Sequence, residues 1–201
     1  MGGRVGIIWD SPLMFTRLVE DCGQIPELVS PQLLAAPFFR RSFSTIIIPG
    51  GFANPSYSSV LPALRACEGR IRKFVTNGGV VIAFGAGIDR PDAYDWLPVQ
   101  IRYRFGFTDG IPSWEKDNPL CCIIEECPDT VSIDGTFEMG GFAHGDAESP
   151  VIPFVHMKMH GFPVLLEYMV GSGRIILTSL HEYPSRGFLT RICDSDSETL
   201  L

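Results

Sequence analysis

Ser44-Thr45-Ile46-Ile47-Ile48-Pro49-Gly50-Gly51 is the stretch that decides the fold. Its β-branched run shows no polar alternation, so it reads as a strand buried on both faces. Pro-Gly-Gly then stops it. Working outward, Ser58 or Ser59 caps a helix on which Leu61, Leu64, Cys67, Ile71, Phe74 and Val75 recur at helical spacing. Asn77-Gly78-Gly79 ends that helix, because glycine takes the left-handed cap without a Cβ penalty. Val80-Val81-Ile82-Ala83-Phe84 follows as a second continuous apolar strand, ending in Gly85-Ala86-Gly87. Upstream, Val5-Gly6-Ile7-Ile8-Trp9 runs into Asp10-Ser11-Pro12. A short helix over 15–22, a strand at Glu27-Leu28-Val29 and a helix over 31–39 come next. Strand and helix in alternation predict a parallel sheet with helices on both faces.

The second half reads differently. Pro and Gly are frequent over 91–153, and short strands are expected at 121–125, 130–133, 153–159 and 164–168. They form a mixed or antiparallel extension. Gly171-Ser172-Gly173-Arg174 turns into Ile175-Ile176-Leu177-Thr178-Ser179-Leu180, a strand ending in His181-Glu182-Tyr183. A last helix starts near Ser185. With 201 residues, the chain suits one domain over 1–193, and 194–201 reads as a frayed tail.

Composition excludes several classes. The chain is 45% hydrophobic and 19% charged, which is not the composition of a disordered protein. Sixteen basic against 23 acidic residues give a net charge of −7, which argues against nucleic acid as a partner. No apolar run nears the ~20 residues of a membrane span, so no membrane partner is expected. The first residues lack the length of a signal peptide. Cys22, Cys67, Cys121, Cys122, Cys127 and Cys193 are therefore expected as reduced thiols in the cytoplasm.

Ligands of open α/β sheets bind beyond the carboxyl ends of the strands. Asp10, Gly50-Gly51, Gly85-Ala86 and His181-Glu182 all fall at such ends. The glycine pair lets backbone N–H groups face a ligand, or makes an ordinary strand-to-helix turn. Gly85 sits where a strained elbow would present a nucleophile, but it offers no attacking atom.

These motifs resemble the class I glutamine amidotransferase-like superfamily, and its trehalose-utilisation (ThuA-like) and biotin-ligase-N-terminal-like branches most. The resemblance spans roughly residues 5–87 and 164–189. It implies a flavodoxin-like three-layer fold. It also implies an elbow cysteine, an oxyanion hole at the glycine pair, and a histidine with a carboxylate two residues later. Here Gly50 and Gly51 match the hole and His181 the histidine. Gly85 replaces the cysteine, Tyr183 occupies the carboxylate position, and Glu182 stands one residue early. The thioester route needs a thiolate, and the elbow encodes none.

The leading expectation is thus a glutamine-amidotransferase-like protein without glutaminase activity. It binds a small polar metabolite or a protein partner at Asp10, Gly50, Gly51, Gly85 and Ala86. A second reading is a hydrolase or isomerase using His181 with Glu182 or a strand-end aspartate (Asp10, Asp89 or Asp92) as acid and base. A third is a structural or regulatory role within a larger assembly. Formation of a homo-oligomer suits all three. No cofactor or metal is expected. His156, Lys158 and His160 share a strand face, but Lys158 repels a cation, and Cys121-Cys122 with Cys127 lacks a zinc spacing.

Overall fold

We describe a computed structural model of the chain over residues 3–114, 119–124, 129–139, 152–193 and 197–201. In chain order, the first half holds β1 (Arg4–Ile8), α1 (Met14–Asp21), β2 (Ile25–Val29), α2 (Pro31–Ala35), β3 (Ser42–Phe43) and β4 (Thr45–Ile48). It continues with α3 (Val60–Ala66), α4 (Glu68–Thr76) and β5 (Val80–Ala83). The second half holds β6 (Ile101–Gly110), β7 (Ser113–Trp114), β8 (Val131–Met139), β9 (Phe154–Met159), β10 (Phe162–Val170) and β11 (Gly173–Thr178). It ends with α5 (Arg186–Cys193) and β12 (Thr199–Leu200). No helix among the described residues is long and apolar enough to cross a membrane.

The main sheet has eight strands in the order β2-β1-β4-β5-β11-β10-β9-β7. From β2 to β11 every pairing is parallel; β10, β9 and β7 add an antiparallel wing. This is the expected α/β architecture with its mixed extension. Alternate residues of each strand face opposite layers. Ile46, Ile48, Val81 and Leu177 pack with Leu61, Leu64, Ile71 and Phe74 of α3 and α4. Ile47, Ile82 and Ile176 pack with Phe15 and Val19 of α1 and Phe188, Leu189 and Ile192 of α5. Each such fully buried side chain contributes about 1.5–3 kcal/mol, which is why runs without polar alternation form the central strands.

Several expectations are corrected. The helix over 31–39 ends at Ala35, because Ala36 precedes Pro37 and takes extended backbone. The single long helix is two: Cys67 leaves helical geometry (φ −116°, ψ 17°) between α3 and α4, while the apolar face runs on across the break. The strand expected at 121–125 is instead a short 3-10 helix, Pro119–Ile123, and Cys127 lies outside the described residues. His160 is not on a strand face. With φ of 51° it forms a two-residue hairpin turn with Gly161 (φ 84°) between β9 and β10. The tail is not frayed at its end, because β12 pairs antiparallel with β3 and Leu201 is buried.

β6 and β8 form a separate antiparallel pair. It is stitched to the end of β11 by the Ile133–Leu180 bridge and by His181 N donating to Ser132 O at 3.0 Å. That stitching brings the second half of the chain onto the carboxyl edge of the parallel strands.

Candidate functional site

β1, β4, β5 and β11 are adjacent and parallel, so the chain segments that follow them gather on one edge. A concave cavity of about 380 Å³ opens there. Gly50, Gly51, Gly87, Asp134, His181 and Glu182 line it together with aromatic side chains. Of the residues expected from sequence, Gly50, Gly51, His181 and Glu182 reach the cavity; Asp10, Gly85 and Ala86 do not line it.

Asp134 is the residue that sequence reasoning missed. Its Oδ1 lies 3.0 Å from His181 Nδ1. Its backbone is held at both ends: the N–H donates to Ser179 O and the carbonyl accepts from Tyr103 Oη, each at 2.8 Å. A Cβ added at Gly85 would meet Asp134 Cβ at 3.1 Å, Tyr103 Oη at 3.2 Å and Asp134 Oδ2 at 3.4 Å. The aspartate and the tyrosine thus occupy the space an elbow side chain would enter. An ionised carboxylate only accepts hydrogen bonds, so His181 Nδ1 carries the proton and, in the neutral ring, Nε2 is the basic atom. The His181 side chain is 60% exposed, and Phe107 packs edge-on against the ring with centroids 5.5 Å apart.

Glu182 does not orient His181. Its Oε1 accepts from Ser132 N at 2.7 Å, and Oε2 is buried with no hydrogen-bond partner among the described residues. Tyr183, at the position where the resemblance places a carboxylate, packs edge-on against Phe15. Asp10 caps α3 from a distance: Oδ1 accepts from Ser59 Oγ at 2.6 Å and Oδ2 from Ser59 N at 3.1 Å. Asp92 pairs with Arg65 at 2.7 Å, and Asp89 accepts from Phe105 N at 3.4 Å.

The glycine turn and the elbow bond to each other. Gly51 N donates to Gly85 O at 2.7 Å and Ala53 N to Ala86 O at 3.2 Å. Gly51 N–H is therefore already engaged rather than pointed at a ligand. Gly87 has φ of 71°, and a Cβ there would come within 2.6 Å of Gly51 Cα, so glycine is required by both backbone and space. Buried Tyr94 anchors the elbow from below, its hydroxyl donating to Phe84 O at 2.7 Å. The Tyr103 phenol is pushed up, mainly by burial and then by the Asp134 charge; the facing Gly87 and Ala86 amides oppose this. The elbow amides thus face a neutral phenol.

No cysteine lines the cavity among the described residues. Cys67 and Cys193 are buried in the core, where desolvation pushes their thiols up to about 11 and about 12. Buried His156 lies 3.0 Å from Glu167, which in turn pairs with Arg174 at 3.3 Å. No cluster of three metal-ligating side chains occurs among the described residues.

No family model matches the chain, and no curated relative matches it. Solved structures do. A Thermoplasma acidophilum protein described as a GMP synthase subunit is similar with a TM-score of 0.58 and 12% identity, over 96% of this chain and 94% of that one. A cytoplasmic protein from Salmonella typhimurium LT2 is similar with a TM-score of 0.52 and 11% identity, over 92% of each chain. A β-galactosidase from Bacillus circulans sp. alkalophilus gives 0.53 and 13%, over 92% of this chain but 29% of its own. At such identities the likeness shows the fold alone. That fold is α/β with a mostly parallel, flavodoxin-like sheet.

Proposed function

We propose that this protein has no glutaminase activity and that its cavity binds a small polar ligand through His181 and Asp134. The observation that carries this reading is the packing of Asp134 and Tyr103 over Gly85. Thioester chemistry needs a thiolate at that point and two free N–H groups beside it. Here a carboxylate stands near the thiol's place, and Gly51 N–H bonds the Gly85 carbonyl. The test is glutamate release from glutamine by the purified chain. No release above the buffer rate is expected; release that disappears in His181→Ala overturns the reading.

One observation favours a second reading, in which the same pair works as acid and base on a small metabolite. A carboxylate 3.0 Å from Nδ1 fixes the imidazole tautomer and orients the ring. Turnover of any compound in a metabolite panel, lost in His181→Ala and strongly reduced in Asp134→Asn, establishes this reading over simple binding.

A further inference from the structure

We infer that the ligand of this cavity is a neutral, hydroxyl-bearing compound built on a planar aromatic ring, of the phenol class. The inference rests on the reading of the cavity as a ligand site and adds the ligand's chemistry. Its basis is the make-up of the wall. Six of the fifteen lining residues are aromatic, namely Trp9, Phe15, Tyr57, Phe84, Phe105 and Tyr183, against 11% of the whole chain. Core packing accounts for Trp9, Phe15 and Phe84, which are buried. It does not account for Tyr57, Phe105 and Tyr183, which line the same cavity yet are 66%, 40% and 55% exposed. Exposed rings gathered at one opening mark a binding surface rather than a core.

The backbone is bent where two of these rings arise. Between Phe105 and Thr108 the pairing passes from Phe105–Gly135 to Thr108–Ile133, so β6 carries one residue more than β8. Such a bulge re-aims side chains. Phe105 at its start lines the cavity, and Phe107 within it packs edge-on against the His181 ring. Phe15 lies edge-on to both Phe84 and Tyr183, with centroids 5.0 and 5.3 Å away, so three lining rings form one continuous surface. A planar aromatic ring gains edge-on or offset contacts with such a surface beyond the area it buries; a saturated ring gains only the area. The polar groups select the head group. His181 Nδ1 is committed to Asp134 and Nε2 accepts from no described residue, so an O–H donor matches it. Asp134 brings a negative charge, and no lysine or arginine lines the cavity among the described residues, so an anionic head group is repelled.

The experiment is titration of the full chain at neutral pH with phenol, cyclohexanol and benzoate, followed by the NMR shifts of the Gly50, Gly87 and His181 amides, which report on the cavity. Phenol and cyclohexanol share a hydroxyl and a ring size and differ in planarity. Benzoate keeps the aromatic ring and carries an anionic head group. Phenol is expected to bind more than about threefold more tightly than either. Tyr183→Leu keeps an apolar side chain but removes the ring, so it lowers phenol affinity by about threefold or more and leaves cyclohexanol affinity unchanged. Phe105→Leu does the same, and because both side chains are exposed, neither variant disturbs the core. If cyclohexanol or benzoate binds as tightly as phenol, or if both leucine variants keep full phenol affinity, the aromatic inference fails while the cavity remains a ligand site. Failure of all three compounds to shift these amides defeats both.

Discussion

Asp134 stands over Gly85 so closely that a methyl group at the glycine would lie 3.1 Å from the aspartate's Cβ. The two residues come from opposite halves of the chain and meet because β8 is stitched to the end of β11. Placing a cysteine at this elbow therefore forces a neighbour to move. Gly85→Cys is expected to lower stability by about 1–3 kcal/mol through overpacking and to produce no glutamate from glutamine. Adding Asp134→Ala opens the space. Urea unfolding of the two single variants and the double variant should show a favourable coupling between the sites. Additive losses would mean the two side chains do not compete for that space.

The sheet and half of the site were legible because their signals are local. Ile46 to Ile48 and Ile175 to Leu177 are β-branched or apolar throughout and bounded by Gly or by a turn, so strand, burial and strand end follow from a few residues. Asp134 gave no such signal. Asp134-Gly135 is a turn-favouring pair that lies just beyond the strand expected at 130–133. In the structure β8 continues straight through it, and Gly135 is there because a Cβ would collide first with the Arg104 carbonyl oxygen and then with the Tyr103 ring, 2.7 Å away. The partner strand did carry a signal: Ile101, Tyr103 and Phe105 alternate with Arg102 and Arg104, the period of a half-buried strand. The frequent Pro and Gly around it masked that alternation. Glu182 looked like the partner of His181 because it is adjacent in sequence, whereas adjacency in an extended chain sends side chains to opposite sides.

Asp10 acts as a cap for α3. Its two oxygens take the hydroxyl and the N–H of Ser59 at the start of α3. Asp10→Ala is expected to cost about 1 kcal/mol, the usual value of a lost N-terminal cap. Thermal unfolding of wild type and variant measures it. An unchanged melting temperature would mean that the Asp10 contacts do not hold the start of α3.

The thiols of Cys67 and Cys193 should be silent in the folded protein. Burial raises both, to about 11 and about 12, so at mildly alkaline pH almost no thiolate is present, and the reagent has no path to either sulfur. Peptide mapping after brief iodoacetamide treatment should find both unmodified in the native chain and fully modified in denaturant. Native labelling of either would show that α4 or α5 opens readily.

Glu167 links stability to acid. Its carboxyl is held below the ordinary glutamate range, first by the hydrogen bond to His156 and also by Arg174, against the opposing effect of burial. A folded-state value below the unfolded one means that the unfolded chain binds the proton more readily. The stabilisation is therefore complete above the ordinary glutamate range and is lost as pH falls through it and past the lowered folded value. Glu167→Gln leaves buried His156 without its charged partner and should cost on the order of 1–3 kcal/mol at neutral pH. The difference between wild type and variant should begin to shrink only once the pH falls into the ordinary glutamate range, and should go on shrinking below it. Urea unfolding of both proteins from neutral pH down to pH about 3, below the usual carboxylate range, measures it. A difference that stays constant across that span would show that the Glu167 charge contributes nothing to folding, and that the His156 contact acts through packing alone.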